Sequence, residues 1–563
     1  MTHYGKAIRR FFDNINILAI IFPLLMIVPN IILDITESMS VMAKIVNILV
    51  PVSLYYLLMS ARKNAGVTVL WLIIFMIMNS FQIVVLYLFG ESIIAIDMLI
   101  NCVTTNASEA GELLKNLVLP ILISAAIYLP MIAWGIYSAA RRLHTSDKFR
   151  LAARRYGLFG LSIGILLSII IMIIPGNFNP AKHIYPLNVI SNIVTALNRT
   201  YQSANFHNTS ANFHFDASDT HAQSDDEVYV LVIGETSRAI NWQLFGYNRP
   251  TNPCLSKRND IITFPRAISQ SNTTHKCVPM MLTATTPLSF DSIRYHKSII
   301  TAYKEAGYTT AVFSNQAKNH SYTQYLSEEA DVVKYLDGDD HYDHNLVDLL
   351  RDNLSKNTGK KHFVILHTYG CHFNYNERYP KDMAFFKPDD ASQANIIHRP
   401  QLLNAYDNAI RYTDKLLDDI ISLLDSSNSK AVMIYVSDHG EDIFDDDRGR
   451  FLHASPVPTY YQLHVPLIVW SSEEYDKAYP DIRPILTANN QMYIAPSQAI
   501  FHTLLQISGI NTPYLDYSES VASSSYSSPT PLYLNDYNEG VPLQESGLKE
   551  TDIKMLQELG ILK

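Results

Sequence analysis

Hydropathy divides this chain near Pro175. Before that point lie five apolar runs, each close to the ~20 residues that a helix needs to cross a bilayer. They extend from Ile15 to Leu33, Val41 to Met59, Val67 to Phe89, Leu117 to Tyr137 and Tyr156 to Ile174. The second is short and holds Lys44 and Pro51. A cleaved signal peptide does not account for five such runs. The chain then turns polar, rich in Asn, Ser, His and Asp, up to Asp226. Beyond it, short continuous apolar runs alternate with helical stretches such as Leu402 to Leu424. The pattern predicts a transmembrane domain of five helices over 1–176, a bridging segment at the membrane surface over 177–226, and an α/β domain over 227–563.

The basic residues orient the spans. Lys6, Arg9 and Arg10 precede the first, and Arg62 and Lys63 follow the second. Arg141, Arg142, Lys148, Arg150, Arg154 and Arg155 separate the fourth from the fifth. The positive-inside rule places these segments in the cytoplasm, so everything after Pro175 is expected outside it. Few ionisable residues interrupt the spans, which argues against a transporter core.

Composition changes this picture little. Hydrophobic residues make up 48% of the 563 and charged residues 17%, a membrane-protein balance. A net charge of −9, with no aromatic-plus-basic stripe, gives no support to a nucleic-acid partner, and none is expected. The four cysteines (Cys102, Cys254, Cys277 and Cys371) form no CxxC pair, which excludes a zinc ribbon. Cys254 and Cys277 are either free thiols or a disulfide.

In the soluble half, apolar strands repeatedly end in polar clusters. Val228–Ile233 ends at Gly234-Glu235, and Thr309–Phe313 at Ser314-Asn315-Gln316. Phe363–Leu366 ends at His367 and then Gly370-Cys371-His372, and Ala431–Val436 at Ser437-Asp438-His439-Gly440-Glu441. Continuous apolar strands separated by helices predict a mostly parallel sheet covered on both faces, with the site beyond the strands' carboxyl ends. Any one cluster has a structural explanation: a turn, a helix-capping carboxylate at Glu235, a buried histidine at His367. Three strands ending in carboxylate or imidazole argue for a metal site, and that donor set suits zinc or manganese.

Further residues carry a family resemblance. Ile233-Gly-Glu-Thr-Ser-Arg238, Phe245-Gly-Tyr-Asn-Arg249, Thr251-Asn-Pro253, Asn404-Ala-Tyr-Asp-Asn-Ala409, Val436-Ser-Asp-His-Gly-Glu441, Leu452-His453 and Val465-Pro466 occur in that order. Together they resemble the phosphoethanolamine transferases of the alkaline phosphatase–sulfatase superfamily, along nearly the whole chain. The resemblance implies a periplasmic, alkaline-phosphatase/sulfatase-like catalytic domain on a bacterial inner-membrane anchor of five helices. It implies one or two Zn2+ ions, with Mn2+ the alternative, held by Glu235, Thr274, Asp438 and His439. The nucleophilic threonine of the family lies shortly before a Val-Pro pair. Here Val278-Pro279 points to Thr274, with Thr273 the other candidate. His372 and His453 match further active-site histidines, and Lys318 matches the family's lysine with different spacing. Asn101, Thr105 and Glu109 reproduce a loop implicated in lipid-substrate binding; its bland counterpart is a solvated amphipathic turn. The lipid A enzymes of the family carry several disulfides, which three cysteines in this soluble half do not reproduce.

The implied reaction moves the headgroup of phosphatidylethanolamine to lipopolysaccharide, at lipid A or a core sugar, or to another envelope glycolipid, through a phosphorylated threonine. The alternative is a glycerol-phosphate transferase of the lipoteichoic acid synthase type. A sulfatase is disfavoured because no Cys-x-Pro-x-Arg motif stands near Glu235. A catalytically dead scaffold would not need Glu235, Thr274, Asp438 and His439 together.

Overall fold

The computed structural model describes all residues except 1–8, 105–110, 112–113, 115–116, 174–177, 223–225, 337–341, 357–360 and 391–394. The chain forms two compact units: 1–99 with 113–197, and 100–112 with 198–563.

Among the described residues of the first unit, four spans are long and apolar enough to cross a membrane: Ile15–Thr36, Val41–Ala61, Val118–Ala140 and Asp147–Ile173. The expected third span is not one straight helix. It is the pair Ala65–Trp71 and Ile73–Phe89, bent by 54°, and a fifth crossing exists only where this pair counts as one span. The bend falls at Leu72, whose N–H is shared between the carbonyls of Thr68 and Val69. The first span also breaks, at Ile27, because Pro29 in the first turn of Val28–Thr36 cannot donate to the preceding turn. Small residues bring helices together where lipid supplies no hydrophobic drive. A Cβ on Gly160 would lie 2.4 Å from Ser53 Oγ, and one on Gly164 would lie 2.5 Å from Val50 Cγ2, so Asp147–Ile173 rests directly against Val41–Ala61. Past the last span the chain returns into this bundle. Tyr185 donates its N–H to Asn47 Oδ1 (2.9 Å) and its hydroxyl to Asn79 Oδ1 (2.8 Å), while Asn30 Nδ2 donates to its carbonyl (2.7 Å). The polar stretch read as a bridge is largely helical, with Leu187–Ala204 its longest element.

The second unit is built on a seven-stranded sheet. In chain order its strands are β1 (Glu227–Gly234), β2 (Ile261–Thr263), β3 (Thr309–Ser314), β4 (Val332–Tyr335), β5 (His362–His367), β6 (Lys430–Ser437) and β7 (Leu467–Ser471). Their spatial order is β2-β7-β6-β1-β5-β3-β4. The run from β6 to β4 is parallel, whereas β7 is antiparallel to both its neighbours, so the sheet is mixed. Every residue of β1 and β5 is buried, the signature of strands covered on both faces. Tyr229, Leu231 and Ile233 share one core with Met280 and Met281 of helix Thr274–Leu282 and with Phe501 and Leu504 of helix Pro496–Ile507. Register then decides where function can sit. Gly234 pairs with Ser437, Ile233 with His367, and Ser314 with His367, so these strands end level.

Beyond β1, Arg238 is buried, 1% exposed. Its guanidinium pairs with Asp445 (2.6 Å), donates to the Glu441 carbonyl (3.1 Å) and to Asn241 Oδ1 (2.6 Å). Its own N–H donates to the Tyr406 hydroxyl (2.9 Å), which in turn donates to the Thr236 carbonyl (2.7 Å). Removing one member of a buried pair leaves the other uncompensated. Arg238→Ala should therefore destabilise the protein by about 3–5 kcal/mol, measured by chemical denaturation; an unchanged midpoint would show that Arg399, 3.1 Å from the other Asp445 oxygen, alone suffices for Asp445.

Candidate active site

Glu235 is the first residue past β1, in a loop with little room. Thr236 has φ of 52° and Gly370 φ of 55°. A Cβ on Gly370 would stand 2.8 Å from the Glu235 carbonyl oxygen and 2.9 Å from its nitrogen, so the β5 loop passes against bare Glu235 backbone. The next N–H, of Cys371, donates to that carbonyl at 3.0 Å. Asp343 holds the same loop by accepting from the N–H groups of Tyr369 (2.8 Å) and Gly370 (2.9 Å) and from Asn315 Nδ2 (2.8 Å).

Asp438 follows β6, and its N–H donates to the Gly234 carbonyl at 3.0 Å. Its Oδ1 accepts from the N–H groups of Thr236 (3.2 Å) and His439 (2.7 Å). Its Oδ2 is fully buried and has no hydrogen-bond donor among the described residues. His439 is fully buried too; its Nδ1–H donates to the Gly440 carbonyl (2.9 Å), leaving the Nε2 lone pair free for another centre. Nε2 lies 3.3 Å from Asp438 Oδ2 and 3.6 Å from Glu235 Oε1. Burial, only partly opposed by the Asp438 charge, pushes the His439 pKa down to about 4, which keeps the ring neutral.

Thr274 opens the helix Thr274–Leu282. Its hydroxyl lies 3.1 and 3.2 Å from the Glu235 oxygens and 3.3 Å from His439 Nε2. The helix N-terminus adds positive partial charge there. Thr273 makes none of these contacts. His453 lies beside His439, the rings tilted by 43° with centroids 4.3 Å apart, and its Nδ1 is 3.3 Å from Glu441 Oε2. Burial, reinforced by His372, pushes the His453 pKa down to about 3. Burial raises Glu441 to about 7, against the Tyr375 hydrogen bond.

A cavity of about 110 Å³ opens over Thr274. Its lining includes Glu235, Thr273, His275, Gln316, Asn319, His372 and His453, together with Asn101 and Thr104. Thr105 and Glu109, singled out beside Asn101, lie outside the described residues. Lys318 is not brought into the cavity. Its side chain is 58% exposed and turns to Glu328 (4.0 Å) and the Tyr335 ring, because the turn after β3 aims its neighbours Gln316 and Asn319 inward instead. Gln316, like His275, Asn319 and Thr104, was not among the site residues expected from sequence: its Nε2 donates to Glu235 Oε2 (3.2 Å) and to the Thr368 carbonyl (2.9 Å). Its place at the end of an apolar strand was the available signal. His367 lies behind Glu235, at 4.0 Å, with its pKa pushed down to about 4 by burial. The four cysteines are free, so no bond joins Cys254 to Cys277.

These residues fit a divalent metal. The ligand atoms of Glu235, His439 and His453 lie within 4.8 Å of one another. Beside them stand a donorless buried carboxylate oxygen at Asp438 and the Thr274 hydroxyl.

The fold and site define a class: an α/β domain with a hydroxyl held among carboxylates and imidazoles at the carboxyl ends of parallel strands. The sulfatase family's sequence profile matches residues 227–510, about half of the chain, and the chain belongs to the sulfatase family. Among curated relatives, the Kdo(2)-lipid A phosphoethanolamine 7''-transferase of Escherichia coli (strain K12) is 30% identical over 264 residues, 45% of each chain. The chain thus spans about half the length of the curated relatives it matches. The fold is shared with lipooligosaccharide phosphoethanolamine transferase A (EptA) from Neisseria meningitidis. That match has a TM-score of 0.70 at 23% identity and covers 91% of this chain and 99% of that one. It is shared also with the periplasmic domain of EcEptC from Escherichia coli in complex with Zn (TM-score 0.53, 23% identity), covering 60% of this chain and 97% of that one.

The contact between Gly370 and Glu235 makes a mutational prediction. Gly370→Ala adds a Cβ where backbone stands and strains a positive φ, so it should cost about 1–3 kcal/mol in urea denaturation. Wild-type stability in this variant would show that the β5 loop can yield.

Proposed function

We propose that this protein is a membrane-anchored phosphoethanolamine transferase, moving the headgroup of phosphatidylethanolamine to a hydroxyl or phosphate of lipopolysaccharide through Thr274. The observation that carries the reading is the Thr274 hydroxyl, held between Glu235 and His439 at a helix N-terminus. Similarity to enzymes named for this transfer supports the substrate class.

Glu235, Asp438, His439 and Thr274 would hold a divalent metal, with His453 beside them. Zinc suits this oxygen and nitrogen donor set, and when bound it would lower the pKa of the Thr274 hydroxyl. The chain's own groups do the rest. Thr274 gives up its proton along its hydrogen bond to Glu235 and its oxygen attacks the lipid phosphorus. The bond from phosphorus to the glycerol oxygen breaks, and that oxygen keeps the electron pair. It takes a proton from the imidazolium of His372, which lines the cavity, since burial keeps His453 neutral. Diacylglycerol leaves, with phosphoethanolamine on Thr274. In the second half the same imidazole removes the acceptor's proton, the acceptor oxygen attacks phosphorus, and Thr274 recovers its proton. Gln316 keeps the Glu235 carboxylate oriented throughout.

Protein incubated with phosphatidylethanolamine and no acceptor should carry phosphoethanolamine on the Thr274 peptide, read by mass spectrometry. Thr274→Ala should abolish both adduct and diacylglycerol release. Asp438→Asn should lose bound zinc in elemental analysis while remaining folded. Consumption of phosphatidylglycerol instead of phosphatidylethanolamine would replace this reading with glycerol-phosphate transfer.

The anchor serves this chemistry because a diacyl donor stays in the bilayer. We assign the loops carrying Arg62-Lys63 and Arg141–Arg155 to the cytoplasm and the catalytic unit to the periplasm, counting the bent pair as a crossing. A reporter active only outside the cytoplasm should work when fused after Ser224 and fail after Lys63 or Lys148. Activity after Lys148 would overturn the five-crossing arrangement.

A further inference from the structure

The residue before the nucleophile has a hydroxyl with no structural use. Thr273 occupies the N-cap of helix Thr274–Leu282, with φ −141° and ψ 134°. A threonine there ordinarily accepts a hydrogen bond from the second or third N–H of its helix. Thr273 makes no such bond; its backbone carbonyl, not its side chain, accepts from the Lys276 N–H at 3.1 Å. The residue is 2% exposed, and its Oγ1 is buried without a hydrogen-bond partner among the described residues. Leaving a buried hydroxyl unsatisfied costs folding free energy, so one that stands beside a cavity and a reactive hydroxyl calls for a partner that the cavity can admit. Thr273 lines the same cavity as Thr274.

The partner that the transfer reading supplies is a phosphodiester, and the cavity's charge says which groups are left to meet it. Among the described residues that line it there is no lysine or arginine, since Lys318 turns away to Glu328. A phosphodiester entering it brings negative charge on its two nonbridging oxygens. Neutral donors and the helix N-terminus remain on this side to meet that charge. Thr273 is not a second nucleophile, because its hydroxyl has no contact with Glu235 or His439.

We infer that the Thr273 hydroxyl donates a hydrogen bond to a nonbridging oxygen of the phosphoryl group while Thr274 attacks it. Thr273 is then a catalytic residue that touches the reacting group and forms no covalent bond. The inference rests on the phosphoethanolamine-transfer reading above. The donation is strongest when negative charge builds on the equatorial oxygens, so it acts on turnover more than on binding.

The test uses the full-length protein in detergent with phosphatidylethanolamine, measuring diacylglycerol release. Thr273→Val keeps the branched shape and removes the hydroxyl. It should lower kcat by about 10- to 1,000-fold with KM little changed, and its melting temperature should stay level or rise because an unsatisfied group is gone. Thr273→Ser should recover most of kcat. A donor lipid with sulfur at one nonbridging oxygen should slow the wild type more than Thr273→Val, a difference that a purely structural role would not produce. A Thr273→Val enzyme within twofold of wild-type kcat, or a sulfur penalty equal in both proteins, would overturn the inference. So would equal loss in Thr273→Val and Thr273→Ser accompanied by a lower melting temperature. Phosphoethanolamine found on Thr273 would overturn it too, while leaving the transfer reading standing. Diacylglycerol release by Thr274→Ala would instead sink the transfer reading itself.

Discussion

Parallel pairing of β1 between β5 and β6 is the constraint on which the site depends. With Gly234 opposite Ser437 and Ile233 opposite His367, Glu235 and Asp438 leave the sheet at one level. The two crossing loops then lock to each other through backbone: the Asp438 N–H to the Gly234 carbonyl, the Cys371 N–H to the Glu235 carbonyl. A one-residue slip of either strand would turn its functional side chain to the opposite face of the sheet. The carboxylates and His439 can stay close and buried only because backbone donors and a bare Gly370 hold them there.

Around this core, buried charge is used for placement. Arg238 ties the Glu235 loop to Glu441 and Asp445, and Asp407 ties helix Arg399–Asp425 to Asn241 (2.8 Å), Tyr247 (3.0 Å) and Arg249 (2.6 Å). The Phe245–Arg249 and Asn404–Ala409 stretches, so informative as a resemblance, therefore meet each other and not the cavity. Their work is to brace the loop that carries Glu235. Replacing any one partner strands a desolvated group, which explains how residues remote from the hydroxyl are tied to the same geometry.

The membrane unit follows a different logic. Its helices close through glycines and polar side chains, because lipid removes the hydrophobic drive for association. Gly160 and Gly164 let one span lie on another, and Asn30, Asn47 and Asn79 capture Tyr185 where the chain leaves the last span. Apolar content alone revealed the spans and hid both devices.

By itself, the sequence determined what short-range chemistry dictates. Long apolar runs pointed to membrane helices, and apolar β-rich runs ending in Glu235, His367 and Asp438 pointed to buried strands whose carboxyl ends gather polar side chains; that Thr274 opens a helix came from the structure. It left Thr273 and Thr274 open, offered Lys318 as a site residue, permitted a Cys254–Cys277 bond and drew the third span straight. Those questions turn on direction in space. Which of two adjacent hydroxyls faces Glu235 depends on one residue's backbone angles at the helix start; whether Lys318 or Gln316 points inward depends on the turn after β3; and a bend at Leu72 leaves hydropathy unchanged. Only the packed chain decides such matters, because residue type sets what a side chain can do and the surrounding backbone sets what it can reach.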